Sequence, residues 1–242
     1  MTTAPFPKIP DQTTETGISR LEFETGKILN INKPVDWTSF DVVKKIRSHI
    51  KVKKVGHAGS LDPFATGVLL ICTGKATKRV ESLMHLEKEY LACMELGKTT
   101  DTYDRTGVML TEPGTKHITF SDIVTVCQFF TGEIFQTPPM YSALKKNGRR
   151  LYELARRGEV VERTPRKVHI YRIELLDFQN PFLNVKVICS RGTYIRSLAF
   201  DIGEKLGCGA YLKDLTRTRI GQYTIDDAWS VSDFVVKTHS IL

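Results

Sequence analysis

One stretch constrains the fold more than any other: Gly56-His57-Ala58-Gly59-Ser60-Leu61-Asp62-Pro63-Phe64-Ala65-Thr66-Gly67-Val68-Leu69. It is built of small residues and turn formers and holds one carboxylate, Asp62, and one imidazole, His57. Gly56, Gly59 and Gly67 allow sharp turns and close backbone approach. Pro63 fixes φ just after the acid and keeps Asp62 out of the helical region. The run Val68-Leu69-Leu70-Ile71-Cys72 then reads as a fully buried strand. A lone acid on a stiff loop that feeds such a strand is well placed for chemistry. The alternative, that Asp62 only caps a turn as Asp-Pro pairs commonly do, stays open on spacing alone.

The 242 residues suit one large domain, or a domain with an appendage, and 41% hydrophobic content is enough for a sizeable core. A formal net charge of +8 and a pI near 9.2 point to a polyanionic partner. The five cysteines, Cys72, Cys93, Cys127, Cys189 and Cys208, form no C-x-x-C pair and mostly sit in apolar runs, as buried thiols of a reducing compartment do. The N-terminus lacks an apolar signal core, and no apolar segment reaches membrane-spanning length, so a cytoplasmic location is expected.

Residues 1–25, rich in Thr, Pro and Glu, read as a loose tail, and residues 26–242 as the folded domain. A short strand from Lys27 to Asn32 is stopped by Pro34. Thr38 and Asp41 form a capping arrangement for a helix to Ile50, with Val42, Val43, Ile46 and Ile50 as its apolar face. Lys44, Lys45, Arg47, Lys51, Lys53 and Lys54 run up to Gly56, which suggests a phosphate-binding rim beside the candidate site. A helix is expected over Lys75 to Leu86, a strand over Tyr90 to Leu96 and a helix over Thr119 to Phe130 opened by Ser121-Asp122. Thr99 to Gly107 reads as a turn-rich loop; Asp101, Asp104 and Gly107 lack the spacing of a metal loop.

Residues 136–168 interleave Lys145, Lys146, Arg149, Arg150, Arg156, Arg157, Arg163, Arg166 and Lys167 with Tyr141 and Tyr152, a pattern that fits a nucleic-acid grip. A helix is expected there from Arg149 to Arg157, stopped by Gly158. His169–Phe178 and Phe182–Cys189 read as paired strands, the second alternating Leu183, Val185, Val187 and Cys189 with polar residues. A helix opens at Gly192-Thr193 with Ile195, Leu198, Ala199, Ile202 and Leu206 on one face and Gly207 as its stop. A short element, a strand and a closing helix finish the chain, giving a mixed α/β (α+β) class with hairpins.

The central stretch resembles the catalytic motif of the TruB family of tRNA pseudouridine synthases. The likeness extends in order through Asn32-Lys33-Pro34, Trp37-Thr38-Ser39, Lys88-Glu89-Tyr90, Gly97-Lys98-Thr99-Thr100-Asp101-Thr102, Pro138-Pro139-Met140-Tyr141-Ser142-Ala143 and Gly192-Thr193-Tyr194-Ile195-Arg196. It implies the pseudouridine synthase fold, a large mixed and mainly antiparallel sheet flanked by helices, with residues 136–168 as an RNA-clasping insertion. It also implies isomerisation of the T-loop uridine at tRNA position 55 by base flipping, with no cofactor and no metal, by a protein expected to be monomeric and to have no membrane partner. Two departures stand out. The small C-terminal RNA-binding domain of many members is not evident before Leu242, and Asp36 stands where the family usually has Gly.

The resemblance assigns roles. Asp62 is the nucleophile, Tyr90 stacks on the flipped uracil, and Arg196 pairs with Asp62, favouring its ionised form. Tyr194 lines the same pocket and Leu215 packs near the base. His57 has no His or Cys partner at metal-ligand spacing, so a grip on the substrate loop is the expectation for it. Lys33 is expected to meet a backbone phosphate or to brace the site. Without the resemblance, Tyr90 reads as a core tyrosine, Arg196 as a surface cation and Leu215 as core packing. A non-catalytic RNA-binding or RNA-folding protein is the alternative of a different class, separable by whether bound tRNA changes chemically.

Overall fold

Reciprocal capping boxes open three helices, at Ser19/Glu22, Thr38/Asp41 and Thr119/Asp122. The computed structural model describes residues 19–146 and 148–239. In chain order the first half comprises α1 (Arg20–Thr25), β1 (Ile28–Lys33), α2 (Ser39–Ile50), β2 (Val55–His57), β3 (Thr66–Thr73), a 3-10 turn (Gly74–Arg79), α3 (Val80–His85), β4 (Lys88–Leu96), β5 (Thr99–Thr100), β6 (Met109–Thr111) and α4 (Phe120–Phe129). The second half comprises β7 (Gly132–Gln136), β8 (Lys145–Lys146), β9 (Arg149–Arg150), α5 (Leu151–Ala155), β10 (Arg166–Gln179), β11 (Phe182–Cys189), α6 (Ile195–Leu206), β12 (Ala210–Ile220), β13 (Tyr223–Thr224), β14 (Trp229–Ser230) and α7 (Val231–His239).

A ten-stranded sheet runs β14-β1-β3-β12-β4-β11-β10-β7, with β2 paired to β3 and β13 to β12. The β1–β14 and β3–β12 pairs are parallel and the others antiparallel, so the expected large, mainly antiparallel mixed sheet is present. β3 is continuously apolar from Val68 to Cys72 because both of its faces are covered there. Leu69 and Ile71 pack with Val42, Ile46 and Ile50 of α2. Val68, Leu70 and Cys72 pack with Ala76 and Leu83 on the other side. A third cluster lies under α4 and α6 and collects Leu61, Phe64, Tyr90, Ile195 and Leu215.

The central three strands set the site. Gly67 of β3 lies opposite Arg217 of β12, and Arg217 lies opposite Tyr90 of β4. β3 and β12 approach so closely that a Cβ on Gly67 would stand 2.2 Å from the Arg217 carbonyl oxygen, and Gly67 has φ +107°. Only glycine fits that crossing.

Several expectations need correcting. The loose-tail reading falls on residues 1–18, outside the described residues, and on Arg20–Thr25, which form a capped helix with Phe23 fully buried. The basic helix expected from Arg149 to Arg157 is shorter. Arg149 and Arg150 pair with Lys146 and Lys145 in a hairpin, and only Leu151–Ala155 are α-helical, with Leu151 and Leu154 buried. The helix expected from Lys75 to Leu86 begins as a 3-10 turn. Part of the basic run also lies away from the start of β3. Register sets Val55 opposite Thr73, and the Gly74 N–H donates to the Lys54 carbonyl at 2.8 Å. Lys53 and Lys54 therefore sit at the end of β3 remote from Thr66, roughly 20 Å along the strand.

Candidate active site

Asp62 sits in the loop between β2 and β3, and four long-range side chains staple that loop. Arg217, 1% exposed, donates from Nε to the Val68 carbonyl at 2.7 Å, from Nη1 to Ser60 at 3.2 Å and from Nη2 to Gly59 at 3.1 Å. Ser39, at the first position of α2, accepts from the Leu61 N–H at 2.9 Å and donates to its carbonyl at 3.2 Å. The Lys33 ammonium donates to the carbonyls of Pro34, Trp37 and Pro63 at 2.7, 2.6 and 3.0 Å. Arg196 then takes the carboxylate itself.

That last contact is bidentate: Arg196 Nε reaches Asp62 Oδ2 and Nη2 reaches Oδ1, both at 2.9 Å. The guanidinium side chain is 4% exposed while the Asp62 side chain is 34% exposed. The cation is fixed in protein, and the acid it orients remains open to a ligand. The remaining N–H groups are also engaged. Nη2 donates to the Tyr141 carbonyl at 2.8 Å, and Nη1 donates to the Thr102 carbonyl at 3.1 Å and lies 3.3 Å from Asp104 Oδ2. Four guanidinium N–H groups have hydrogen-bond acceptors and the Asp104 carboxylate lies beside Nη1 as a second counter-charge, so the rotamer is tightly held.

Asp104 is a functional candidate that sequence reasoning took for turn chemistry. It is buried, and its Oδ1 accepts from the Thr102 and Thr106 hydroxyls and the Thr106 N–H. Oδ2 is left facing Arg196. Ser39, Arg217 and Gln136 were missed as well. Gln136, 2% exposed, accepts from the Tyr194 N–H at 2.7 Å and donates to the Tyr194 carbonyl at 3.0 Å. The signal for Arg217 was a guanidinium in an alternating Leu-Thr-Arg-Thr run, which alone reads as an exposed charge.

The other candidates fall into two groups. Tyr90 is buried on β4 in the cluster that holds Leu61, Phe64 and Leu215. Burial pushes its hydroxyl above the ordinary phenol value, against a smaller opposing effect of the Arg217 guanidinium. Tyr194 caps α6 half-buried; burial raises its hydroxyl too, and the charges of Arg196, Asp62 and Arg166 all act on it. Both hydroxyls lie within electrostatic reach of Asp62. His57 lies on β2, half-buried, with a buried Nδ1 that has no hydrogen-bond partner, and burial followed by Arg217 lowers its pKa. Lys33 is fully buried with its donors spent on three carbonyls, which ties the Asp62 loop to the segment after β1, and desolvation brings its pKa down to about 8. No cluster of three or more His, Cys, Asp or Glu with metal-binding geometry occurs among the described residues.

Residues 47–195 match the model of the TruB family pseudouridylate synthase N-terminal domain. The chain belongs to the TruB family. A second TruB model, for the C-terminal domain of tRNA pseudouridylate synthase B, matches residues 196–239. That stretch carries Arg196 and Arg217 and is woven into the main sheet through β12, so it contributes to the site and is not a separate appendage. Among curated TruB-family relatives, tRNA pseudouridine synthase B of Clostridium tetani is 50% identical over 206 residues, which are 85% of this chain and 71% of that protein. The namesake from Phocaeicola vulgatus is 48% identical over 220 residues, 88% of this chain and 94% of that protein. Among solved structures, a Cbf5-Nop10-Gar1 complex aligns with TM-score 0.71 at 30% identity, over 94% of this chain and 60% of that one. An H/ACA RNP bound to a substrate RNA containing 2'-deoxyuridine aligns with TM-score 0.66 at 29% identity, over 95% and 61%. The TruB-family chain thus spans about three-fifths of the length of those two structures' chains.

Proposed function

We propose that this protein isomerises the T-loop uridine at tRNA position 55 to pseudouridine, acting as a monomer in the cytoplasm. The observation that carries the reading is Asp62, one-third exposed and held bidentately by a buried arginine. The reaction breaks the bond between the ribose C1' and N1 of uracil, turns the base and forms a bond from C1' to C5. C5 then gives up its proton and N1 takes one, so atoms balance without a redox partner. Asp62, held and aimed by Arg196, supplies the carboxyl group that steadies the sugar or the base while they are apart. Extruding the uridine costs a few kcal/mol of unstacking. The Tyr90 and Tyr194 rings and the Leu215 side chain offer stacking and apolar contact in return. Burial raises the Tyr90 hydroxyl pKa, so its contribution here is the ring against the base. His57 enters the space the uridine vacates in the T loop.

The test is to incubate the protein with an unmodified tRNA transcript and map pseudouridine by carbodiimide-blocked reverse transcription. Wild type should give one stop at the T-loop position. Asp62→Asn should give none while its tRNA Kd stays within about twofold, because the loss is in the chemical step. Binding without any stop from wild type would favour the non-catalytic RNA-folding alternative. Wild-type turnover by Asp62→Asn would overturn the role of Asp62.

A further inference from the structure

The route into the basic insertion is fastened to the helix that carries the catalytic arginine. Gln136 ends β7, where it pairs with Arg166 of β10, so residues 136 and 166 are the two feet of the insertion. From this foot, three contacts run to the start of α6. The buried Gln136 carboxamide grips Tyr194 at both its N–H and its carbonyl. The Ser197 hydroxyl donates to the Thr137 carbonyl at 2.8 Å. Arg196 Nη2 donates to the Tyr141 carbonyl at 2.8 Å, using the same nitrogen that holds Asp62 Oδ1. Beyond this root the insertion is tied mainly to itself. Leu151 and Tyr152 donate to the Leu144 and Ser142 carbonyls, and Arg163 returns to Pro138.

Tyr194 is the helix cap, yet its side chain makes no capping hydrogen bond. Its N–H needs an acceptor from elsewhere, and the Gln136 carbonyl oxygen is that acceptor. A glutamine is the natural residue here because one planar group must accept from an N–H and donate to a C=O at once. Removing it frees Tyr194 and the first turn of α6 to shift against the insertion, and Arg196 lies two residues away.

We propose that Gln136 is a positioning residue for the reaction: through Tyr194 it fixes the bearing of Arg196 on Asp62 relative to the insertion that closes on RNA. Gln136 touches none of the reacting atoms. Its effect reaches the chemistry through the guanidinium, so it belongs to the turnover step and not to RNA capture. This inference rests on the proposed isomerisation.

Gln136→Met keeps the length and apolar volume and removes both hydrogen bonds; Gln136→Glu keeps the acceptor and loses the donor. Single-turnover kinetics on a tRNA transcript should show Gln136→Met slowed about tenfold to a hundredfold, the scale of a misplacement near 1 Å. Its tRNA Kd should stay within about twofold, with Gln136→Glu between it and wild type. Ser197→Ala, which removes only the neighbouring hydrogen bond, should slow turnover in the same direction and less, and it keeps the test alive if Gln136→Met does not fold. An unchanged rate in a folded Gln136→Met, or a rate loss matched by an equal loss of tRNA affinity, overturns the inference. A wild-type protein that binds tRNA and leaves it unmodified overturns the isomerisation reading instead.

Discussion

Asp36 shows how one residue's backbone carries a family departure. Its φ is +64°, in the left-handed region, and its N–H donates to the Pro63 carbonyl at 2.8 Å, one residue from the candidate nucleophile. Glycine is the usual family residue there because it enters that region freely; aspartate is among the few others that tolerate it. Asp36→Gly should therefore change the unfolding free energy by less than about 1 kcal/mol. Asp36→Val should lower it by about 1–2 kcal/mol, since a branched Cβ meets the carbonyl in this conformation. Urea titration of both variants checks the pair, and a Val variant as stable as wild type would show that the turn is held by something other than its dihedral. Arg196 makes the complementary case. Sequence spacing alone left it a surface cation, and the resemblance alone made it the partner of Asp62. The structure adds Asp104 as a second carboxylate on the same guanidinium. Replacing Arg196 with Leu strands that buried acid, so it should cost about 3–5 kcal/mol of stability besides turnover.

Between elements, local signals were legible and long-range ones were not. Thr38 with Asp41 announced α2 because a capping box is written within four residues. The alternation of β11 announced a half-buried strand for the same reason. Lys53 and Lys54 lie away from Thr66 because adjacency to Gly56 in sequence says nothing about which end of β3 the strand β2 meets. Arg217 was missed for the same cause. Only the β3–β12 crossing, 150 residues apart at Thr66 and Thr216, places the Gly59, Ser60 and Val68 carbonyls around its guanidinium. One ammonium cannot span those three acceptors, and each buried carbonyl left bare costs about 1–3 kcal/mol. Arg217→Lys should lower stability by about 2–4 kcal/mol in guanidinium unfolding. It should also slow turnover at least tenfold on saturating tRNA, because the loop that aims Asp62 loosens. Loss of stability with normal turnover in the folded fraction would show that Arg217 holds the sheet and not the loop.

At the scale of the whole molecule, charge is divided by task. Residues 136–168 hold nine Lys and Arg against three Glu, a net +6 out of the chain's +8. The cations of the site are spent internally, Arg196 on carboxylates and carbonyls and both Lys33 and Arg217 on backbone carbonyls. In the insertion, by contrast, Lys145, Lys146, Arg149 and Arg150 are exposed along a two-stranded hairpin, and Arg150 and Arg156 flank the Tyr152 ring at 5.9 and 5.6 Å. Such cations meet phosphates without reading sequence, so their loss should appear in affinity and its salt dependence and not in the chemical step. Replacing Arg149, Arg150, Arg156 and Arg157 together with Gln should weaken tRNA binding and flatten the plot of log K against log salt by about 0.7–0.9 for each phosphate that is no longer neutralised. The rate at saturating tRNA should remain within about twofold of wild type, the opposite split from that expected of Gln136 at the root of the same insertion. Filter binding across a range of salt concentrations, paired with single-turnover rates, measures both quantities. A salt slope identical to wild type would mean that the basic stretch faces solvent while the tRNA is held elsewhere on the molecule.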